Sequence, residues 1–204
     1  MTTDRLREVV IAGHAGDVEA IEARAGDGDP AVRVAVLGAL DRAGALTDDR
    51  VREAFDDDHP SVRRRAAELA GGRPGVGLLQ LLDDSDPSVV EVAAWACGEQ
   101  AELVDAMPGE IVERLSQLAV DAAEPLVREA CAAALGAIGD RRGLPAILAA
   151  CGDKPQVRRR AVLALAPFEG DEVEAAIDRA LEDRDWQVRQ AAEDLRRAAG
   201  EHEI

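Results

Sequence analysis

The sequence predicts an all-α protein, an α-solenoid (α-α superhelix) of about six helical hairpins with an N-terminal capping helix. Three observations predict it. An acidic turn followed by an anchor residue recurs at positions 30, 60, 87, 125, 155 and 186. The spacings of 30, 27, 38, 30 and 31 residues each fit one helix–turn–helix unit. Alanine, valine and leucine are abundant while aromatics make up 2%, which suits close-packed helices better than strands.

The elements follow in order. A helix near residues 4–13, with Leu6, Val9 and Val10, covers the first repeat. The first anchor is Asp27-Gly28-Asp29-Pro30-Ala31-Val32-Arg33. It returns as Asp57-Asp58-His59-Pro60-Ser61-Val62-Arg63, and then as Asp84-Ser85-Asp86-Pro87-Ser88-Val89-Val90, where the arginine is lost. Glu124-Pro125-Leu126-Val127-Arg128 and Lys154-Pro155-Gln156-Val157-Arg158 are shorter copies. The last, Asp183-Arg184-Asp185-Trp186-Gln187-Val188-Arg189, has tryptophan at the anchor. An acidic residue before proline suits a helix N-cap, and proline suits the first helical position because its missing N–H needs no partner there. Apolar residues two, six and nine or ten positions after the anchor form one helical face, as in Val62, Ala66, Leu69 and Ala70.

Each anchor helix is preceded by another amphipathic run, over 16–25, 48–56, 75–83, 108–120, 143–151 and 171–182. Thr47 and Pro108 are start signals, and Gly152 and Gly170 mark breaks. The chain reads as one domain with a cap at 1–15, repeats at roughly 16–44, 45–72, 73–100, 107–139, 140–168 and 169–199, and a tail at 200–204. The last helix pairs Val188, Ala192 and Leu195 with Glu193, Asp194, Arg196 and Arg197, the polar outer face a terminal repeat requires.

Stretches such as Val127-Arg128-Glu129-Ala130, then Ala134-Leu135-Gly136-Ala137-Ile138-Gly139-Asp140 and Leu144-Pro145-Ala146-Ile147-Leu148, resemble bacterial HEAT repeats. The closest subtype is the phycobilisome-lyase HEAT-like repeat. The resemblance covers nearly the whole chain from about residue 16. It implies a right-handed superhelix and, with less specificity, an interaction role, because one repeat fold serves many activities. It also implies a ladder between repeats made by the aspartate before the anchor and the arginine after it. Asp27 with Arg33, Asp57 with Arg63 and Asp183 with Arg189 match that spacing. Val90 breaks it in repeat three, and Ala122 and Gly152 stand where the acidic member is expected in repeats four and five. A looser middle and a longer connection at 101–108 follow from this reading.

Charge and composition narrow the partners. The net charge of −17 repels phosphate backbones and anionic membranes and argues against nucleic acid as the main partner. Cys97, Cys131 and Cys151 fall at apolar helical positions outside metal-motif spacing, which reads as buried thiols in a reducing compartment. With no secretory signal and no long apolar run, the reading is a cytoplasmic protein with no membrane span, and the acidic charge suggests a monomer.

No catalytic constellation is legible, and no cofactor or metal site is expected. His14, His59 and His202 lie in separate repeats, which a solenoid does not bring together. His59 reads as a solvated loop residue. Deoxyhypusine hydroxylases resemble this fold and bind two irons through several His–Glu pairs; this chain has one, His202-Glu203. Alkylpurine DNA glycosylases of similar fold use a basic, aromatic groove, and bilin lyases need a tetrapyrrole pocket that nothing here marks. Acidic runs such as Asp56-Asp57-Asp58 lack the order of a calcium loop.

The expected function is a non-catalytic scaffold or adaptor that presents a concave helical surface to a protein or peptide. The alternatives are an accessory or lyase-like factor handling a cofactor or its apoprotein and, more weakly, nucleic-acid binding through arginine clusters. Positions four and eight after the anchor share a face offset from the core. They nominate Arg64, Glu91, Trp95, Glu129, Arg159 and Leu163 as partner-binding residues. Tryptophan and arginine are enriched at binding hot spots. The plainer reading has Trp95 filling an inter-repeat groove and the triplets Arg63–Arg65 and Arg158–Arg160 largely salt-bridged. Trp186 reads as packed against the neighbouring turn.

Overall fold

The computed structural model describes residues 2–201; His202 and Glu203 lie outside them. Among the described residues there are thirteen α-helices and no strand. Helix α1 (Thr2–Ala15) precedes six hairpins. These are α2 (Val18–Glu22) with α3 (Pro30–Arg42), α4 (Asp48–Glu53) with α5 (Pro60–Ala70), and α6 (Leu79–Leu82) with α7 (Pro87–Ala101). Then come α8 (Gly109–Asp121) with α9 (Pro125–Ile138), α10 (Leu144–Ala150) with α11 (Pro155–Ala164), and α12 (Asp171–Leu181) with α13 (Trp186–Glu201). The anchor helices pack in sequence, α1 on α3, α3 on α5, and so on to α13. The chain is an α-solenoid of about six repeats.

Local chemistry sets the helix starts. Asp29, Asp86 and Asp185 accept the backbone N–H two residues on, at 3.0, 2.9 and 2.9 Å. Thr47 caps α4 through the Arg50 N–H at 3.2 Å. His59 is solvent-exposed in the helix-entry turn, as expected, and it also caps α5: its Nδ1 accepts from the Ser61 N–H at 3.3 Å. Glu124 and Lys154 make no side-chain cap. Helix α6 is far shorter than the expected 75–83, because Gly71, Gly72, Pro74, Gly75 and Gly77 hold the chain in turns up to Leu78. The predicted long connection is real and spans 102–108.

The core is a repeated column. Val32, Val62, Val89, Val127, Val157 and Val188, each two residues after an anchor, are at most 3% exposed. Burying each contributes about 1.5–3 kcal/mol. Six residues after the anchor, Val36, Ala66, Ala93, Cys131, Ala161 and Ala192 are equally buried. Further along, glycine lets neighbouring helices close in: a Cβ at Gly98 would lie 3.4 Å from Ala134 Cα, and one at Gly136 would lie 2.7 Å from both Cα and Cβ of Ala164.

An ion-pair ladder runs along the starts of the anchor helices. Arg33 Nε and Nη2 donate to both carboxylate oxygens of Asp57 at 2.7 and 2.6 Å, while its Nη1 donates to the Asp27 carbonyl at 2.9 Å. Arg63 binds Asp84 at 2.6 and 2.8 Å and the Asp57 carbonyl at 2.9 Å. Arg128 binds Asp153 at 2.5 and 2.9 Å and the Ala122 carbonyl at 2.6 Å. Arg158 binds Asp183 at 2.8 and 2.7 Å and the Asp153 carbonyl at 2.8 Å. Arg5 of the cap helix donates to Asp27 at 2.6 Å. Two expectations change. The arginine pairs with the carboxylate of the following repeat and takes only a carbonyl from its own. In repeat five Asp153, not position 152, is the acidic member, because that turn is one residue shorter. Among the described residues the rung is missing only between repeats three and four, at Val90 and Ala122, where both residues pack on the apolar core.

The Arg63 guanidinium holds the Asp84 carboxyl below its ordinary value. Arg128 and Arg158 do the same for Asp153 and Asp183. Burial opposes ionisation of Asp57, yet the Arg33 and His59 hydrogen bonds keep it lowered as well. A carboxyl lowered on folding stabilises fully above its unfolded value near 3.8, and that contribution is lost as the pH falls through the folded value.

Two outcomes follow. Replacing Gly136 by alanine should cost about 1–3 kcal/mol in urea unfolding, although alanine is the better helix former; a neutral result would mean that α9 and α11 do not press together there. Asp84→Asn should destabilise the protein by roughly 2 kcal/mol at pH 7 and flatten the loss of stability below about pH 4. An acid profile identical to that of the parent protein would remove the Arg63–Asp84 rung from the stability of the array.

Candidate functional site

The free face of the anchor helices is the candidate site. Arg64 on α5 and Arg159 on α11 are exposed. Glu91 on α7, Glu129 on α9 and Leu163 on α11 are half-buried, and Trp95 on α7 is 47% exposed. None is sealed in the core. Glu91 and Trp95 sit one turn apart on α7, as do Arg159 and Leu163 on α11, and the four helices are consecutive neighbours in the stack. Trp95 serves both readings: its ring edge rests against Gly71, where a Cβ would be 3.5 Å from Cζ3, and its remaining surface is open.

Each arginine triplet is divided by role. Arg63 and Arg158 are ladder members. Arg65 pairs with Glu68 at 2.7 Å, and Arg160 of α11 reaches Glu129 of α9 at 3.7 Å. Among the described residues Arg64 and Arg159 make no ion pair, so each triplet keeps one unpaired charge on this face.

Sequence reasoning missed Leu126 and misplaced Trp186. Leu126, one residue after its anchor on α9, is 57% exposed. The same position is Ala31, Ser61, Ser88, Gln156 and Gln187 in the other repeats, so reading that column would have marked it. Trp186 is 64% exposed rather than packed on the neighbouring turn: it opens α13, where the helix start faces away from the core. Gln100 was also missed. It is 5% exposed on α7, and its Nε2 reaches the carbonyls of Ala70, Arg73 and Val76 at 2.9, 3.1 and 2.9 Å. It thereby ties the glycine-rich turn at 71–78 to the stack.

With this geometry in hand, a protein-family model described as HEAT repeats matches residues 76–166. No curated protein matches the sequence. The Escherichia coli protein YibA is similar in structure, with a TM-score of 0.64 and 20% identity over 85% of this chain and 67% of its own. A designed armadillo repeat protein, YIII(Dq)4CqI, is similar at 0.61 and 17% identity, over 86% of this chain and 96% of its own. A second design, YIII(Dq.V1)4CPAF, solved in complex with the peptide (KR)4, gives 0.60 and 17% identity over 87% and 97%. At these identities the likeness is one of fold.

Among the described residues no three His, Cys, Asp or Glu side chains are placed to hold a metal ion, and no helix is long and apolar enough to cross a membrane. The three cysteines are free thiols. Burial pushes Cys97 up to about 12 and Cys151 up to about 11, and raises Cys131 as well. A thiol so raised is a poor nucleophile, because the thiolate is the reactive form. At pH 8 and without denaturant, a disulfide reagent should therefore leave Cys97 and Cys131 unmodified over the time in which free cysteine reacts fully, and urea should expose all three. Rapid modification of either buried thiol in the folded protein would contradict the packing of α7 against α9.

Proposed function

We propose that this protein is a non-catalytic interaction scaffold whose anchor-helix face receives a peptide or an extended segment of a partner protein. One observation carries the reading: four consecutive helices turn their core positions inward and leave a surface stripe with Trp95 at its centre. A half-exposed tryptophan on a stripe with Arg64, Glu91 and Arg159, which make no ion pair among the described residues, has the composition of a binding hot spot. The anchor helices make the main contacts along the stack, and we read their free face as its concave surface.

The chemistry of the stripe favours an occupant with an apolar anchor for Trp95 and Leu126. Among the described residues Glu91 and Glu99 on α7 make no ion pair, and the chain carries a net charge of −17, so basic residues beside that anchor are complementary. The similar designed protein is solved with a basic peptide, which supports testing that chemistry first. Arg159 would select an acidic group further along the same occupant. Three buried or half-buried cysteines that form no disulfide suit a reducing compartment such as the cytoplasm.

The test is a displayed peptide library selected on the intact protein, followed by affinities for its variants. Trp95→Ala should weaken the selected peptides about 30-fold or more, and Arg159→Glu several-fold, with helical circular dichroism unchanged. Selected peptides that bind both variants as tightly as the parent protein would place the interaction elsewhere.

A further inference from the structure

The ladder defines a chemical socket. In each complete rung an arginine three residues after its anchor is held by one nitrogen on a carbonyl of its own turn, and it offers its Nε–Nη2 edge to a carboxylate arriving from the next repeat. Four such rungs, at Arg33, Arg63, Arg128 and Arg158, share this arrangement. Arg189 is the same position in the last described repeat. Its Nη1 donates to the Asp183 carbonyl at 2.7 Å, with the same six-residue reach as Arg33 and Arg63. The guanidinium is therefore held in the ladder pose. Its Nε–Nη2 edge has no partner among the described residues.

Two features make this edge fit for docking. Arg189 is half-buried and already fixed by Asp183, so little side-chain freedom is lost when a carboxylate arrives. Trp186 lies three residues earlier, on the same side of α13, and is 64% exposed, the largest value for a large apolar side chain among the described residues. A bidentate guanidinium beside an open indole accepts a carboxylate with an apolar neighbour. Arg189 lies off the anchor-helix stripe, which on α13 runs from Trp186 through Gln190 and Asp194, and the site is set apart from Trp95 by distance, since Trp95 lies three anchor helices away on α7. Glu193, one turn along, confines the incoming anion to the N-terminal end of the helix.

We infer that the Trp186–Arg189 end of the array docks the acidic turn of a partner protein, one in which an aspartate stands about three residues ahead of a helix, as the protein's own aspartates do inside the ladder. The occupant's chemistry is read from those rungs: a carboxylate that accepts two guanidinium hydrogen bonds while a backbone N–H two residues on holds it in place, as the Asp86 N–H holds Asp84 at 2.8 Å.

The probe is a synthetic peptide with this protein's residues 82–94, which carries the Asp84 turn and the start of its helix and ends before Trp95. It is titrated into the intact, nitrogen-15-labelled protein, and the Arg189 Nε–H and the two indole N–H signals are followed; Arg189→Lys and Trp186→Phe assign them. The expected result is a saturable shift of the Arg189 and Trp186 signals with the Trp95 indole unmoved. An Asp84→Asn peptide should bind about tenfold more weakly or worse, and Arg159→Glu protein should bind the parent peptide unchanged. Absence of any shift at millimolar peptide, equal binding of the Asp84→Asn peptide, or shifts centred on Trp95 would overturn the inference.

Discussion

The arginine rung is the contact on which the rest of the molecule depends. One planar guanidinium joins three things: the turn that starts its own anchor helix, through a carbonyl; the next repeat, through both oxygens of an aspartate; and, through that aspartate, the backbone N–H that begins the next turn. Charge-assisted bidentate bonds of this kind are directional, so each rung sets distance and rotation together. Partial burial raises the cost of both charges, and the paired guanidinium–carboxylate bonds, with the carbonyl and backbone N–H contacts beside them, offset it. With register fixed at the turns, the exposed stripe of each anchor helix is less constrained and differs from repeat to repeat.

Side-chain size completes what charge begins. The rungs act at the N-terminal ends of the anchor helices, and the close approaches of Gly98 to Ala134 and of Gly136 to Ala164 act towards the C-terminal ends. Each of these helices is thus held at two points. Between repeats three and four the first point is lost, yet α7 and α9 remain tightly packed, and Arg114 of α8 adds a bridge to Asp83 at 2.7 Å. The expectation of a looser middle rested on the ladder alone and left out the small residues that let these two helices meet.

Much of this was legible in the sequence because the signals are periodic. The proline anchor, the valine two residues on and the aspartate before it recur, so repeat number, helix order and the core column could be read directly. What escaped was aperiodic. Asp153 was overlooked because its turn is one residue shorter, which moves the carboxylate out of the counted position without moving it in space. Gln100 gave no warning, since a buried amide earns its place from carbonyls some 24–30 residues earlier. Trp186 escaped because proline occupies its position elsewhere, and that small ring gives no sign that a larger side chain there stands open to solvent. The candidate stripe was found by counting from the anchor; Arg64, Trp95 and Arg159 are exposed, and Glu91, Glu129 and Leu163 are half-buried.

The central claim is that rungs couple whole repeats rather than decorating their turns. Native-state hydrogen exchange on Arg128→Met, compared with the parent protein, tests it most directly. Coupling through the rung predicts faster exchange throughout both α9 and α11, on either side of the severed contact, with α3 and α5 unchanged. Acceleration restricted to the turn around Asp153, leaving the protection of both helices intact, would contradict it.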